Sequence, residues 1–241
     1  MSRLLLVSLF LAGTAVPSLA ESVNVAVAAN FTAVAEELAA MFEAESGHEV
    51  ELSFGATGQL YTQISQAAPY GVFLAADTER PEKAIAEGLA VDGSFFVYAE
   101  GQLALYGEGV DAENGEAALS GNFAKLAIAD PQAAPYGQAA VEALTALGLY
   151  EALQPKLVIG ENISQALQFI ESGNAELGFV AASQVADKPF WLVPADLHEP
   201  ISQGAVLLKT SEGNAAAEGF LAFLRSEAAV ALIEASGYSV P

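Results

Sequence analysis

Four times along the 241 residues an apolar run passes through a few small or polar residues directly into a helix-like stretch: VAVAAN-FTAVAEEL, ELSFGATG-QLYTQI, LAIADPQAAPYG-QAAVEAL and LVIGEN-ISQALQFI. This recurrence constrains the fold more than any other feature of the chain. A strand followed at once by a helix returns to its sheet through a crossover, and such crossovers build parallel or mixed sheets covered by helices. The pattern predicts strands at Val23–Ala28, Val50–Phe54, Val72–Ala75, Gln102–Tyr106, Lys125–Ala129, Lys156–Ile159, Leu177–Val180, Phe190–Leu192 and Gly204–Leu208. It predicts helices at Thr32–Glu45, Gly58–Ala67, Pro81–Glu87, Gly137–Leu147, Ile163–Ser172, Ala215–Leu224 and Glu227–Ala235. In the first helix Val34, Leu38, Met41 and Phe42 fall at helical spacing and form its expected apolar stripe. The fold class that follows is α/β.

The junctions also carry chemistry. The first turn of a helix holds N–H groups with no partner inside the helix, and the helix dipole makes that end favourable for an anion. In open α/β sheets, ligands sit beyond the carboxyl ends of the strands, where these junctions lie. Taken singly, Asn30, Thr57, Gly58, Gly137 and Asn162 read as ordinary caps and turns. Four junctions converging would instead make a cage of uncharged donors around an anion.

Address and charge narrow the partners. The opening MSRLLLVSLFLAGTAVPSLA places Arg3 before an apolar run from Leu4 to Ala12 and small residues at Ser18 and Ala20, the pattern of a cleavable secretory signal peptide over residues 1–20. Its apolar run is shorter than the ~18 residues a membrane-spanning helix requires. Without that leader, seven basic residues stand against 30 acidic ones, a net charge of about −23. A surface of that sign repels nucleic acid and anionic membranes, so neither is an expected partner. The chain has no cysteine, so neither a disulfide framework nor a lipid-bearing cysteine is available, and residues 21–241 must be held by their core.

No enzyme chemistry is legible. His48 in SGHE and His198 in LHEP both lie in polar turns away from the junctions. No nucleophile motif accompanies them, and no group of His or carboxylate residues has the spacing of a metal-cation site. Asp77, Glu79 and Glu82 stand beside Arg80 and Lys83 and read as a solvated helix start, while Trp191 and Phe95-Phe96 read as packing residues near the lobe connection. The basic residues Arg80, Lys83, Lys125, Lys156, Lys188, Lys209 and Arg225 all fall outside the four junctions, so an anion held there would be bound by neutral dipoles.

The stretches AANF, SFGATGQLYTQI, VFLAADTERPEK, DPQAAPYGQAAVEAL, PKLVIGENISQAL and LGFVAASQV occur in an order that closely resembles the periplasmic molybdate-binding proteins of bacterial ABC importers, from about Ser22 to Tyr238. The resemblance implies a two-lobed type II periplasmic binding protein fold, each lobe a mixed sheet flanked by helices. It implies residues 21–101 and 204–241 in lobe one, 102–203 in lobe two, and two crossover strands between them. It implies a periplasmic, monomeric, non-enzymatic solute-binding protein without a cofactor, which closes on molybdate or tungstate and delivers it to a membrane permease.

Carried over junction by junction, the resemblance places ligand contacts on Asn30 with the backbone of Ala29 or Phe31, on Thr57, on Tyr136 between Pro135 and Gly137, and on the backbone N–H of Ile163. The oxyanion of molybdenum would thus be held through Asn30, Thr57, Tyr136 and Ile163. Asn30 is expected both to cap its helix and to offer its side-chain amide. Two positions depart from the family pattern: Ala181, where some members carry a ligand-binding tyrosine for which Tyr136 compensates, and Gly71, where relatives often carry aspartate.

Hydroxyl, amide and backbone N–H donors suit a fully deprotonated tetrahedral dianion. Protonated phosphate would need a buried acceptor, and the only carboxylates at the edges of the turns are Asp130, which reads as a turn residue, and Glu161. Another oxyanion such as sulfate on the same fold, and a periplasmic protein without a transport role, stay open as alternatives. A carboxylate binder would carry an arginine at the cleft, which the junctions lack.

Overall fold

The strand–helix alternation resolves into two sheets, each of five strands. The computed structural model describes residues 20–241; the signal peptide expected over residues 1–20 therefore lies outside the described residues, apart from Ala20. In the first sheet the order is β2 (Glu49–Gly55), β1 (Ser22–Ala28), β3 (Val72–Leu74), β10 (Ile201–Leu207) and β4 (Phe96–Gly101). In the second it is β7 (Leu157–Gly160), β6 (Leu126–Ala129), β8 (Leu177–Ala181), β5 (Leu103–Gly107) and β9 (Trp191–Leu192).

The two orders follow one pattern. Three parallel strands, β2-β1-β3 or β7-β6-β8, are followed by a fourth that runs antiparallel to both its neighbours. In each sheet that fourth strand comes from the other lobe: β5 follows β4 after Gln102, and β10 follows β9. The expected boundary at residue 204 falls inside β10, whose Gln203 already pairs with Ala99 of β4.

Strand β4 has no counterpart among the sequence expectations. Its segment FVYAEG ends in Glu100-Gly101 and lacks a long apolar run, and it becomes a strand by pairing with β10, a partner distant in sequence. The helices are α1 (Thr32–Ser46), α2 (Thr57–Ser65), α3 (Glu79–Ala86), α4 (Gly115–Leu119), α5 (Pro135–Ala146), α6 (Tyr150–Leu153), α7 (Ile163–Glu171), α8 (Ala215–Phe223) and α9 (Glu227–Ala235).

Period-two alternation along β1 sends Val25 and Val27 to one face, against Leu38, Phe220 and Ile233 of α1, α8 and α9. It sends Ala26 to the other, against Leu60 and Ile64 of α2. Helix α1 buries Val34, Ala35, Leu38, Ala39 and Phe42 and stops at Gly47, whose φ of 73° lets its N–H close on the Glu43 carbonyl. Met41, expected in that stripe, is 37% exposed: the buried face is centred on Ala35, Leu38 and Phe42, and Met41 sits at its rim.

Candidate functional site

The four junctions meet where the lobes face each other. Ala28, Ala29, Ala56 and Ala76 from the first lobe share one buried apolar cluster with Ala129, Ala134, Tyr136 and Ile163 from the second. Small residues on the lobe-one side let backbone approach backbone. The Gly58 N–H donates to the Ala133 carbonyl at 2.8 Å, joining the second junction to the third. The Ser164 hydroxyl donates to the Ala29 carbonyl at 3.0 Å, joining the fourth to the first, and Ser164 is itself held by Gln184 Nε2 at 3.1 Å.

Each expected site residue is buried here. Thr57 is 1% exposed and begins α2; its Oγ1 accepts from the Ala76 N–H at 3.0 Å, which leaves its one hydrogen to donate. Tyr136, 1% exposed in the first turn of α5, accepts from Gln203 Nε2 at 3.4 Å and likewise keeps its hydrogen. Ile163 begins α7 behind a side-chain cap from Asn162, whose amide oxygen accepts from the Gln165 N–H at 3.0 Å. The N–H groups of Asn30, Thr57, Tyr136 and Ile163 donate to no protein atom among the described residues. Those of Thr57, Tyr136 and Ile163 are the orphan donors that a helix start leaves open. The Ala29 carbonyl is taken by the Thr32 and Ser164 hydroxyls.

Asn30 differs from expectation. It caps no helix: neither the short 3-10 turn Ala29–Phe31 nor α1 has a side-chain cap. Its side chain turns instead into the core, where Nδ2 donates to Gln203 Oε1 at 2.9 Å and to the Tyr238 hydroxyl at 3.2 Å. Both amide hydrogens are thus committed inside the protein, and the donor left to Asn30 is its backbone N–H. The reason is tertiary: β10 and the chain after α9 place polar partners behind Asn30 that the local sequence does not announce.

The electrostatics also gain one element. Asp77 and Arg80 are not a solvated helix start: they form an ion pair at 2.5 Å with side chains 17% and 24% exposed. The Arg80 Nη2 crosses the cleft to donate to the Gln132 carbonyl at 3.1 Å, beside Gly58 and Ala133. One cation therefore reaches the rim of the site, neutralised by its own carboxylate. Burial pushes the Asp77 carboxyl above its usual value, against the opposing pull of Arg80. Most of the other cations serve the surface. Lys188 and Lys209 pair with Glu171 and Glu212, while Lys156 and Arg225 lie over the rings of Phe123 and Phe96. Asp130 is the turn residue it reads as, its Oδ1 accepting from the Gln132 N–H at 2.9 Å.

The structure adds Gln203, Tyr98, Tyr238 and Ser164 to the neighbourhood. Only Gln203 carries a sequence signal, a lone amide in the apolar run ISQGAVLL. Gly71 stands where a Cβ would come 2.5 Å from Ser211 Oγ and 2.8 Å from Val23, so an aspartate here would require those side chains to shift. Ala181 is buried in the same cluster as Tyr136.

Residues 23–239 match the family model described as bacterial extracellular solute-binding protein. The molybdate-binding protein of Rhodobacter capsulatus is 50% identical over 230 residues, covering 94% of this chain and 91% of its own length. That of Azotobacter vinelandii is 48% identical and covers 92% of this chain and 91% of its own. The solved structure of the Azotobacter vinelandii periplasmic molybdate-binding protein superposes with a TM-score of 0.86 at 41% identity, over 91% of this chain and 99% of that one. With the two-sheet fold and a cleft of uncharged donors already in place, the chain belongs to the bacterial extracellular solute-binding protein family, alongside its molybdate-binding members.

Proposed function

We propose that this protein captures molybdate, and tungstate with it, between its two lobes and presents it to the membrane permease of an ABC importer. The observation that carries this reading is the donor set: hydroxyls of Thr57 and Tyr136 and backbone N–H groups of Asn30, Thr57 and Ile163 come from four junctions on both lobes, and among the described residues no carboxylate or free cation hydrogen-bonds to them. Donors without acceptors suit an anion that carries no proton. A protonated oxyanion would leave one of its own O–H groups without a partner in a buried site, at a cost of about 1–3 kcal/mol.

In this reading the lobes sample open and closed forms, the anion bridges donors from both, and the closed shape is what the permease recognises. The protein acts in the periplasm as a monomer and carries out no chemistry on its ligand. The relatives named for molybdate binding support the choice of anion.

Calorimetric titration of residues 21–241 with molybdate, tungstate, sulfate and phosphate tests it. The expected result is tight binding of molybdate and tungstate alone, weakened about tenfold to a hundredfold by Tyr136→Phe, which removes one hydrogen bond to a charged acceptor. Heat from sulfate or phosphate in their place would overturn the ligand while leaving the fold untouched.

A further inference from the structure

Behind the proposed contacts lies a buried chain of hydrogen bonds in which one side chain, Gln203, reaches both Asn30 of the first lobe and Tyr136 of the second. Gln203 is 0% exposed and sits on β10 at the bulge where its pairing with β4 shifts register. Its Oε1 meets Asn30 Nδ2 at 2.9 Å and the Tyr98 hydroxyl at 3.0 Å; its Nε2 meets the Tyr136 hydroxyl at 3.4 Å. It therefore touches Asn30 of the first junction and Tyr136 of the third at once.

From Tyr238 through Asn30 to Gln203 the direction of each hydrogen bond follows from one fixed acceptor. The Asn30 backbone carbonyl can only accept, so the Tyr238 hydroxyl, 2.8 Å away, must donate to it. That hydroxyl then has no hydrogen left for the Asn30 side chain at 3.2 Å, so the atom facing it is Nδ2, a donor. The second hydrogen of Nδ2 points at Gln203, so the atom it meets is the amide oxygen. Gln203 must then turn its NH2 group to Tyr136. Ser183 Oγ, 2.9 Å from the Tyr238 oxygen, fits as a second donor to it. The amide orientation is thus dictated by the network.

We infer that Gln203 is a positioning residue for ligand recognition: by donating to the Tyr136 oxygen it turns the Tyr136 hydrogen toward the cleft and keeps that phenol a donor. The inference rests on the reading of Tyr136 as a ligand contact and deepens it, since a donor-only phenol selects an oxyanion with no proton of its own. Gly101 makes the contact possible, because a Cβ there would overlap the Tyr136 hydroxyl and lie 2.8 Å from Gln203 Nε2.

The test is a double-mutant cycle in calorimetry with molybdate, with folding checked by thermal melts. Wild-type protein is titrated first; absence of binding there overturns the proposed ligand and this inference with it. If wild type binds, Gln203→Leu is expected to weaken molybdate about tenfold, and Gln203→Leu with Tyr136→Phe is expected to bind no worse than Tyr136→Phe alone. Effects that multiply, or a folded Gln203→Leu with wild-type affinity, would overturn the positioning role and leave the ligand assignment standing.

Gln203→Glu supplies a second arm. An ionised carboxylate accepts only, so it would draw the Tyr136 hydrogen away from the cleft; the protonated acid again donates. The titratable groups facing residue 203 are Tyr98 from β4, Tyr136 from α5 and, through Asn30, Tyr238, while the Asp77 backbone carbonyl accepts from the Gly204 N–H next door. Relative to wild type at each pH, Gln203→Glu is expected to bind more than a hundredfold weaker at pH 8 and to recover as pH falls. A loss that is the same at every pH would mean that residue 203 only fills space.

Discussion

The Thr57 hydroxyl accepts from the Ala76 N–H and keeps its hydrogen available to donate, to the ligand in the proposed reading. Its two possible replacements therefore separate. Thr57→Ser keeps both bonds and should hold molybdate affinity within about threefold. Thr57→Ala should weaken binding about tenfold or more and also lower stability by about 1–2 kcal/mol, because the buried Ala76 N–H loses its acceptor. Calorimetry with a parallel urea titration reads both; equal binding by the two variants would remove Thr57 from the site. The buried phenols make a second prediction. Burial pushes Tyr238 from 10 up to about 12, and Tyr98 and Tyr136 move in the same direction for the same reason. A folded value above the unfolded one means the native state holds its proton longer, so this contribution is complete below pH 10 and is lost as pH rises from about 10 to about 12. For Tyr238 it is worth about 3 kcal/mol. Melting temperature should stay level between pH 8 and pH 9.5 and fall steeply above 10; a melt unchanged up to pH 11 would contradict it.

Among the elements, α3 carries the polar tie across the mouth of the cleft. Arg80, held by Asp77, reaches the Gln132 carbonyl next to the Gly58–Ala133 backbone bond, so it stabilises the closed arrangement without lying among the proposed ligand donors. Arg80→Gln should speed molybdate release severalfold, about 1 kcal/mol, and leave association nearly unchanged; stopped-flow kinetics distinguishes this from a direct ligand contact, which would cost far more. The elements also show what local pattern conveys. Helices α1, α5 and α7 are legible because their apolar residues fall at helical spacing, and strands β1 and β6 because they are short apolar runs, fully buried over 25–28 and 126–129. Strand β4 is not, since its pairing with β10 is what makes it extended. Met41 fits the helical spacing yet stays exposed, because the width of a buried stripe is set by what packs on it.

For the molecule as a whole, charge opposes the ligand at long range. A chain with 30 acidic residues repels a dianion, and the repulsion reaches about 30 Å at 0.01 M salt but only about 8 Å at 0.15 M. The association rate of molybdate should therefore rise severalfold between those two conditions. A rate that falls with salt would mean that the cleft mouth, where Arg80 sits, outweighs the surface around it. Closure matters for the same reason: inside a shut cleft the fixed dipoles of the helix starts act at short range, where the distant acidic surface is screened. The matching strand orders of the two sheets, each receiving its fourth strand from the other lobe, give the chain two crossings between the lobes.

The family resemblance singled out Ala29, Asn30, Thr57, Tyr136 and Ile163; the amino-acid pattern by itself was enough to establish the α/β class and the four strand-to-helix junctions. These are properties of short segments: strand and helix periods, and the open donors of a helix start, depend on neighbours within a few residues. Which atoms those residues turn toward the cleft was decided only in three dimensions. Asn30 points its amide at Gln203 and Tyr238, 173 and 208 residues away, and Arg80 leaves its own helix to meet the opposite lobe. Hydrogen-bond direction in a buried network is set by the acceptors that tertiary packing brings within reach, and no local stretch of sequence contains them.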